Sequence, residues 1–237
     1  MPNWTYNILT ITGTNESMDL FYQSALGPNS SAELCFSFSN IFPMPLPIKN
    51  TISPPAAALG KKWINQNLSL MRDSALSDLL GEEHQGLIPV ENNTPEKCQL
   101  LQIQYGADNW YDWNIINYGT KWDCEVPADR IILREKNIFE CSFETAWSPP
   151  SAFLYNLQNK FPDLEIKLIY ELEGDDECGI FITQKDQSGT RLEHQQSTLE
   201  TYGPDGECIY YKDGDWYYED GEVCEDYIMR NPFEEIY

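Results

Sequence analysis

The chain has 237 residues, 41% hydrophobic and 13% aromatic, which is enough to bury one large core or two small ones and excludes a disordered polymer. Its 38 acidic residues against 15 basic ones give a net charge of −23 at pH 7, a field that repels nucleic acid and anionic membrane surfaces. The excess is concentrated at the C-terminal end: Glu171 to Tyr237 holds 19 acidic and 4 basic residues, a net of −15, against −8 for the first 170 residues.

The first residues, Met1-Pro-Asn-Trp-Thr-Tyr-Asn, have neither a basic stretch nor an apolar one, so no signal peptide is expected, and no run is long enough for a membrane span. Trp4 to Thr12 alternates and reads as a strand. Gly13-Thr-Asn-Glu is a turn, and Asn15 or Ser17 is placed to cap a helix running to Leu26, with Leu20, Phe21, Ser24 and Ala25 inward. Glu33 to Phe38 reads as a second strand. Phe42-Pro-Met-Pro-Leu-Pro47 is a rigid segment that cannot be sheet interior.

From Lys49 to Val90 the pattern is weak. Ala56-Ala-Ala allows a short helix, and Ser69 to Leu80 predicts an amphipathic one stopped by Gly81. Thr94-Pro95 opens a helix to about Tyr105. Another runs from Asp108 to about Tyr118 with Gly119 as its stop, and places Trp110, Trp113 and Asn114 on one face. Ile131–Leu133 and Ile138–Thr145 read as a hairpin. Ser148-Pro-Pro150 starts a helix to Lys160, with Phe153, Leu154 and Leu157 inward. Leu164 to Leu172 alternates strongly, Gly179 to Gln184 is a further strand, and Gln187-Ser-Gly is a turn. Asp-Gly pairs at Asp205, Asp213 and Asp220, flanked by short aromatic runs, predict a β-meander.

The expected fold is therefore α+β. The order β-α-β, a mostly helical insertion at about 49–125, then β-α-β gives a ferredoxin-like split βαβ antiparallel sheet over residues 1–170. Residues 171–237 are expected as an acidic, strand-rich extension packed on the same sheet.

Two motifs stand out. One is Trp113-Asn114…Asn117…Gly119-Thr120-Lys121-Trp122-Asp123, and the other is Phe143-Glu-Thr145-Ala-Trp147-Ser-Pro-Pro150. Trp113, Asn114, Asn117, Lys121, Trp122 and Trp147 would make a cleft for a planar or anionic ligand. The plainer reading is preferred: the indoles are core, the amides satisfy a helix end, and Lys121 pairs with Asp123.

No catalytic set is found. The histidines, His84 and His194, lie far apart in polar segments. There is no G-x-S-x-G and no Gly-rich phosphate loop. Seven cysteines, an odd number without a C-x-x-C pair, predict free thiols in a reducing cytoplasm and no zinc site. Cys124 and Cys141 read as core thiols. The Asp-rich tail lacks the spacing of a calcium loop. Neither a metal nor a cofactor is expected.

Met1-Pro-Asn-Trp4, the Phe42-Pro-Met-Pro45 segment and the two Trp motifs, in this order, resemble the YubB-like family. That resemblance implies a ferredoxin-like sheet and a plasmid or phage setting, and it implies no activity. Tyr118 stands where the resembling pattern has Trp, Thr5 stands where Cys is common, and Lys49 to Glu91 has no counterpart. The expected function is a non-enzymatic mobile-element protein that binds a host protein with a basic surface in the bacterial cytoplasm, with a nucleic-acid-mimicking inhibitor as its concrete form. Its acidic surface would comprise Asp175, Asp176, Glu177, Asp205, Asp213, Asp215, Glu219, Asp220 and Glu222. A charge that serves only solubility is the plain alternative, and a small-ligand or nucleotide-binding cleft is the other functional one.

Overall fold

The computed structural model describes residues 3–29, 31–51, 95–172, 177–187, 189–202, 209–212, 215–218, 222–224 and 228–233. The helices expected near Ala56 and over Ser69 to Leu80 lie outside these residues.

Strand β1 (Trp4–Thr12) turns Thr5, Asn7, Leu9 and Ile11 into the core and Trp4, Tyr6 and Ile8 to the other face, as a period of two requires. Helix α1 (Asn15–Ala25) follows. Its cap is Thr14, whose hydroxyl accepts from Ser17 N–H, rather than the expected Asn15 or Ser17. This start sets the buried stripe at Met18, Phe21 and Ala25 and leaves Leu20 58% exposed, against the expected inward Leu20. A small antiparallel sheet joins β2 (Leu26–Pro28), β3 (Leu34–Ser37) and β4 (Glu125–Pro127) in that order. Two single-turn helices, α2 (Phe38–Ile41) and α3 (Leu46–Lys49), lie after β3. Pro47 is tolerated there because the first-turn N–H groups need no intrahelical partner.

Helix α4 (Pro95–Tyr105) begins at the expected Pro95, and α5 (Trp110–Asn117) is capped by Asn109, whose side chain accepts from Asp112 N–H. Then come β5 (Ile131–Arg134), β6 (Ile138–Ala146), α6 (Ser151–Lys160), β7 (Glu165–Leu172), β8 (Glu177–Asp186) and β9 (Gly189–Thr198).

The main sheet has the order β5-β6-β1-β7-β8-β9, and every neighbouring pair is antiparallel. Strand β1 lies between β6 and β7, which α6 connects. Helices α1 and α6 cover one face through Met18, Phe21, Phe153, Leu154 and Leu157 against Leu9, Ile11, Phe139 and Leu168. Aromatic rings dominate this core: Phe38 and Phe153 are 4.2 Å apart and Phe21 and Phe139 5.3 Å, in tilted and edge-on contacts. On the opposite face Phe233 covers Ile169, Cys178 and Ile180, while Tyr6 and Ile8 stay exposed.

Strand β9 was not expected, because its alternation is almost entirely polar; Leu192 is its one buried residue. In the tail β11 (Ile209–Lys212) pairs with β12 (Asp215–Tyr218), and Tyr217 bridges to Val223. Strand β10 (Glu200–Tyr202) pairs with β13 (Ile228–Arg230), so the expected consecutive hairpins are enclosed by a longer-range pair. These two ribbons are separate from the main sheet, which β8 and β9 continue.

Gly179 on β8 sits under Tyr170, whose hydroxyl pairs with His194 Nε2 at 2.9 Å; a Cβ at Gly179 would lie 2.5 Å from the Tyr170 ring. His194 in turn stacks on Phe181 at 4.1 Å, so the ring cannot swing aside without breaking that row. Gly179→Ala should destabilise the protein by about 1–3 kcal/mol, read as a lowered midpoint in urea unfolding. An unchanged midpoint would mean that Tyr170 is not held in place.

Candidate functional site

The two Trp motifs meet at one corner of the main sheet. Helix α5 ends at Asn117, and Gly119 follows with φ +83°, a left-handed stop that L side chains rarely adopt. A Cβ there would fall 2.8 Å from Ala152 N and 2.9 Å from Ser151 N, so the lack of a side chain lets the loop touch the start of α6. Ser148 Oγ donates to Gly119 O at 2.8 Å, and Asn156 Nδ2 donates to Asn117 O at 3.1 Å.

The polar members of the first motif hold this loop. Thr120 Oγ1 donates to Ala146 O at 3.1 Å, and Asn114 Nδ2 donates to Lys121 O at 2.8 Å. Asp123 accepts from the backbone N–H groups of Phe38 at 2.8 Å, Ser39 at 3.2 Å and Cys124 at 2.9 Å. It therefore fastens α2 to the loop and makes no ion pair with Lys121 among the described residues. Burial raises the Asp123 carboxyl above its ordinary range, and the hydrogen bonds from Ser39, Phe38 and Cys124 pull it partly back.

The second motif forms the turn from β6 into α6. Trp147 has φ +66°, a strained value for a residue with a bulky side chain. Its N–H donates to Asn3 O at 2.9 Å, and Thr145 Oγ1 closes the turn by donating to Ser148 O at 2.7 Å. The indole is 45% exposed.

With the loop fixed, Lys121, Trp122 and Trp147 reach the surface together. Trp122 and Trp147 are 39% and 45% exposed, and their rings stack with centroids 6.4 Å apart at 24°. Lys121 Nζ lies 4.3 Å from the Trp122 ring centre and 5.1 Å from that of Trp147. Trp4 flanks Trp122 at 5.9 Å. From Trp4 and Trp122 an open groove of about 920 Å³ runs across the face of β6, β1 and β7 opposite α1 and α6. Its floor includes Tyr6, paired with Glu144 on one side and Glu171 on the other, and Ile8, paired with Ser142 and Ile169. Glu125 and Arg130 also border it.

The structure thus divides the six residues of the expected cleft. Trp113 and Asn114 are buried, with Trp113 edge-on to Tyr118 at 5.2 Å, and Asn117 donates to Trp113 O inside α5. These three are scaffold. Lys121, Trp122 and Trp147 are the surface group, and the preferred placement of all the indoles in the core is corrected for Trp122 and Trp147. Sequence reasoning passed over Tyr6, Glu144 and Glu171; the available signal was that β1 alternates with apolar residues on both faces. Of the expected acidic surface, Glu177 opens β8 half-buried, Asp215 opens β12 and Glu222 is exposed. Asp175, Asp176, Asp205, Asp213, Glu219 and Asp220 lie outside the described residues.

Cys35, Cys98, Cys124, Cys141, Cys178 and Cys224 are free thiols, and Cys208 lies outside the described residues. Burial pushes the Cys124 and Cys141 thiols far up, which keeps them protonated and unreactive at neutral pH. No group of three or more His, Cys, Asp or Glu side chains among the described residues is placed to hold a metal. None of the helices among them is long and apolar enough to cross a membrane.

Residues 117–236 match the family model described as the ferredoxin-like domain in Api92-like protein. The chain belongs to this family. A solved structure, that of protein Api92 from Yersinia pseudotuberculosis, is similar to this Api92-like chain at 14% identity, over 81% of this chain and 98% of that one, with a TM-score of 0.40. No curated protein matches. The matched region begins at Asn117 and takes in the Gly119–Asp123 loop, the Trp147 turn, β6 and β7.

Two predictions separate scaffold from surface in this Api92-like chain. Trp113→Ala should cost about 3–5 kcal/mol, whereas Trp122→Ala should cost about 1 kcal/mol or less, measured by chemical denaturation. Equal losses would place Trp122 in the core. Asp123→Ala leaves three backbone donors without their acceptor and should cost about 2–3 kcal/mol. The charge has its own signature. Between the ordinary carboxyl value and the raised folded one, the native state keeps a proton that the unfolded state has released. The stability due to this carboxyl is therefore greatest below the unfolded value and falls as pH rises through the folded one. Asp123→Asn should flatten that part of the melting temperature–pH curve, and a parallel curve would contradict the raised value.

Proposed function

We propose that this Api92-like chain is a non-enzymatic binding protein that docks a host protein with a basic surface. The observation that carries this reading is the open groove over β6, β1 and β7, where exposed aromatic side chains stand beside Glu144, Glu171 and Glu125. Aromatic anchors inside a charged rim are the usual makings of a protein-binding surface. The net charge of −23 supports a basic partner, because opposite fields speed encounter and reject competing acidic surfaces.

The concrete form of this reading is a nucleic-acid-mimicking inhibitor of a host defence or nucleic-acid-processing enzyme. The YubB-like resemblance supports a plasmid or phage origin, and with it action inside a bacterial host. The strand order β5-β6-β1-β7 supports reading the core as two split βαβ units, with the acidic residues 171–237 as their extension. A second reading, a small planar ligand or nucleotide held beside Lys121, is favoured by the two exposed indoles next to its ammonium group.

The test is the salt dependence of the complex with a partner captured from host lysate. Its dissociation constant should rise about tenfold or more between roughly 0.05 M and 0.5 M salt. A value that stays flat over this range would remove the acidic-surface reading.

A further inference from the structure

Lys121 occupies a place that a ligand cation could take. Its ammonium group lies against the faces of two stacked, half-exposed indoles, Trp122 and Trp147, and makes no ion pair with Asp123, the nearest acidic residue in sequence. Asp123 is occupied by three backbone N–H groups and cannot draw the lysine away. The Trp122 face attracts positive charge through its quadrupole, and the attraction is strongest for tryptophan. Trp147 keeps a left-handed backbone in the hydrogen-bonded β6–α6 turn while its indole stays 45% exposed.

The groove continues the same chemistry. Trp4 and Trp122 form its end, and two residues along β6 from Ala146, the partner of Trp4, stands Glu144. Glu144 and Glu171 sit on either side of Tyr6, one on each neighbouring strand, so an aromatic face lies between two carboxylates. At this row phosphate would meet two carboxylates, whereas a guanidinium or ammonium group would meet a ring face and an acceptor together; Arg130 also borders the groove and is its cationic edge.

We propose that the Trp122–Trp147 slot and the adjoining Glu144–Tyr6–Glu171 row form a recognition site for a basic peptide segment of the partner, in which an arginine or lysine side chain displaces Lys121 from the slot. This rests on the docking reading above and names the part of the surface that carries it. Lys121 is an internal stand-in whose ammonium group lies over both rings while the site is empty. A second basic side chain of the same segment, farther along the groove, pairs with Glu144 and Glu171.

The experiment uses the full chain and a short arginine–glycine peptide, with a glutamine–glycine peptide of equal length as control, followed by tryptophan fluorescence and calorimetry. Lys121→Met keeps the length of the side chain but not the charge, and should tighten the arginine peptide about three- to fivefold by removing the internal competitor. Trp122→Ala should weaken it about tenfold or more with the melting temperature nearly kept. Glu144→Gln with Glu171→Gln should weaken binding and reduce its salt dependence. The proposal is overturned if Lys121→Met loses peptide binding, if the control peptide binds equally well, or if ADP binds the wild type and Lys121→Met abolishes it, which would make Lys121 an anion anchor. If salt still weakens capture of the host partner while Trp122→Ala and the glutamine variants bind it like the wild type, this site falls and the acidic-surface reading stands. If capture is insensitive to salt, the broader reading falls as well.

Discussion

The approach of the Gly119 loop to the start of α6 is the constraint on which the rest of the corner depends. A Cβ at Gly119 would lie within about 3 Å of the Ser151 and Ala152 nitrogens, so only a residue without a side chain, in a left-handed conformation, allows the approach. Once the contact is made, Ser148 and Thr120 tie the loop to the β6–α6 turn, Asn114 ties it to α5, and Asp123 ties it to α2. Helix α2, helix α5 and the β6–α6 turn, three separate stretches of the chain, are thereby locked around one backbone crossing. A shift of the loop would leave several buried polar groups unpaired at once, each at a cost of about 1–3 kcal/mol.

This locking explains why the motif is rich in small and amide side chains. Asn114, Asn117 and Thr120 spend their donors on backbone carbonyls, with Asn114 Oδ1 buried without a hydrogen-bond partner, and the side chains this leaves at the surface are Lys121 and Trp122. The exposed indoles are therefore a by-product neither of composition nor of crowding: the core already has its aromatic packing in Phe21, Phe36, Phe38, Phe139 and Phe153. Strain at Trp147 points the same way, since a left-handed Trp with an exposed ring gains little from burial to offset it.

The open sheet face gives the corner its context. Helices α1 and α6 cover one side of the sheet, and Phe233 covers part of the other, over β7 and β8. The strip of β6, β1 and β7 beside the tryptophans is covered by none of the helices among the described residues. Its carboxylates come from different strands, so the Glu144–Tyr6–Glu171 row exists only by virtue of strand pairing. The acidic composition of the chain gives that row its sign, and the pairing gives it its geometry.

The sequence by itself determined the α+β class, the strands and helices with clear periods, the Gly119 stop, and the two motifs that meet at the corner. Alternation in Trp4–Thr12 and Glu165–Leu172 and the apolar stripe of Ser151–Lys160 are local signals, and local backbone geometry reads them directly. Strand β9 was not legible, because its partner β8 supplies the buried surface and its own residues are mostly polar. The division of the tryptophans was not legible either. Trp113 and Trp122 share one motif and one residue type, and the first is core while the second is half-exposed because α5 packs against α3 and α6, whereas the loop after Gly119 carries Trp122 beside Trp4 at the end of the groove. Only tertiary structure decides such a question, since burial depends on which distant segment arrives to cover a side chain, and no periodicity within thirteen residues encodes that arrival.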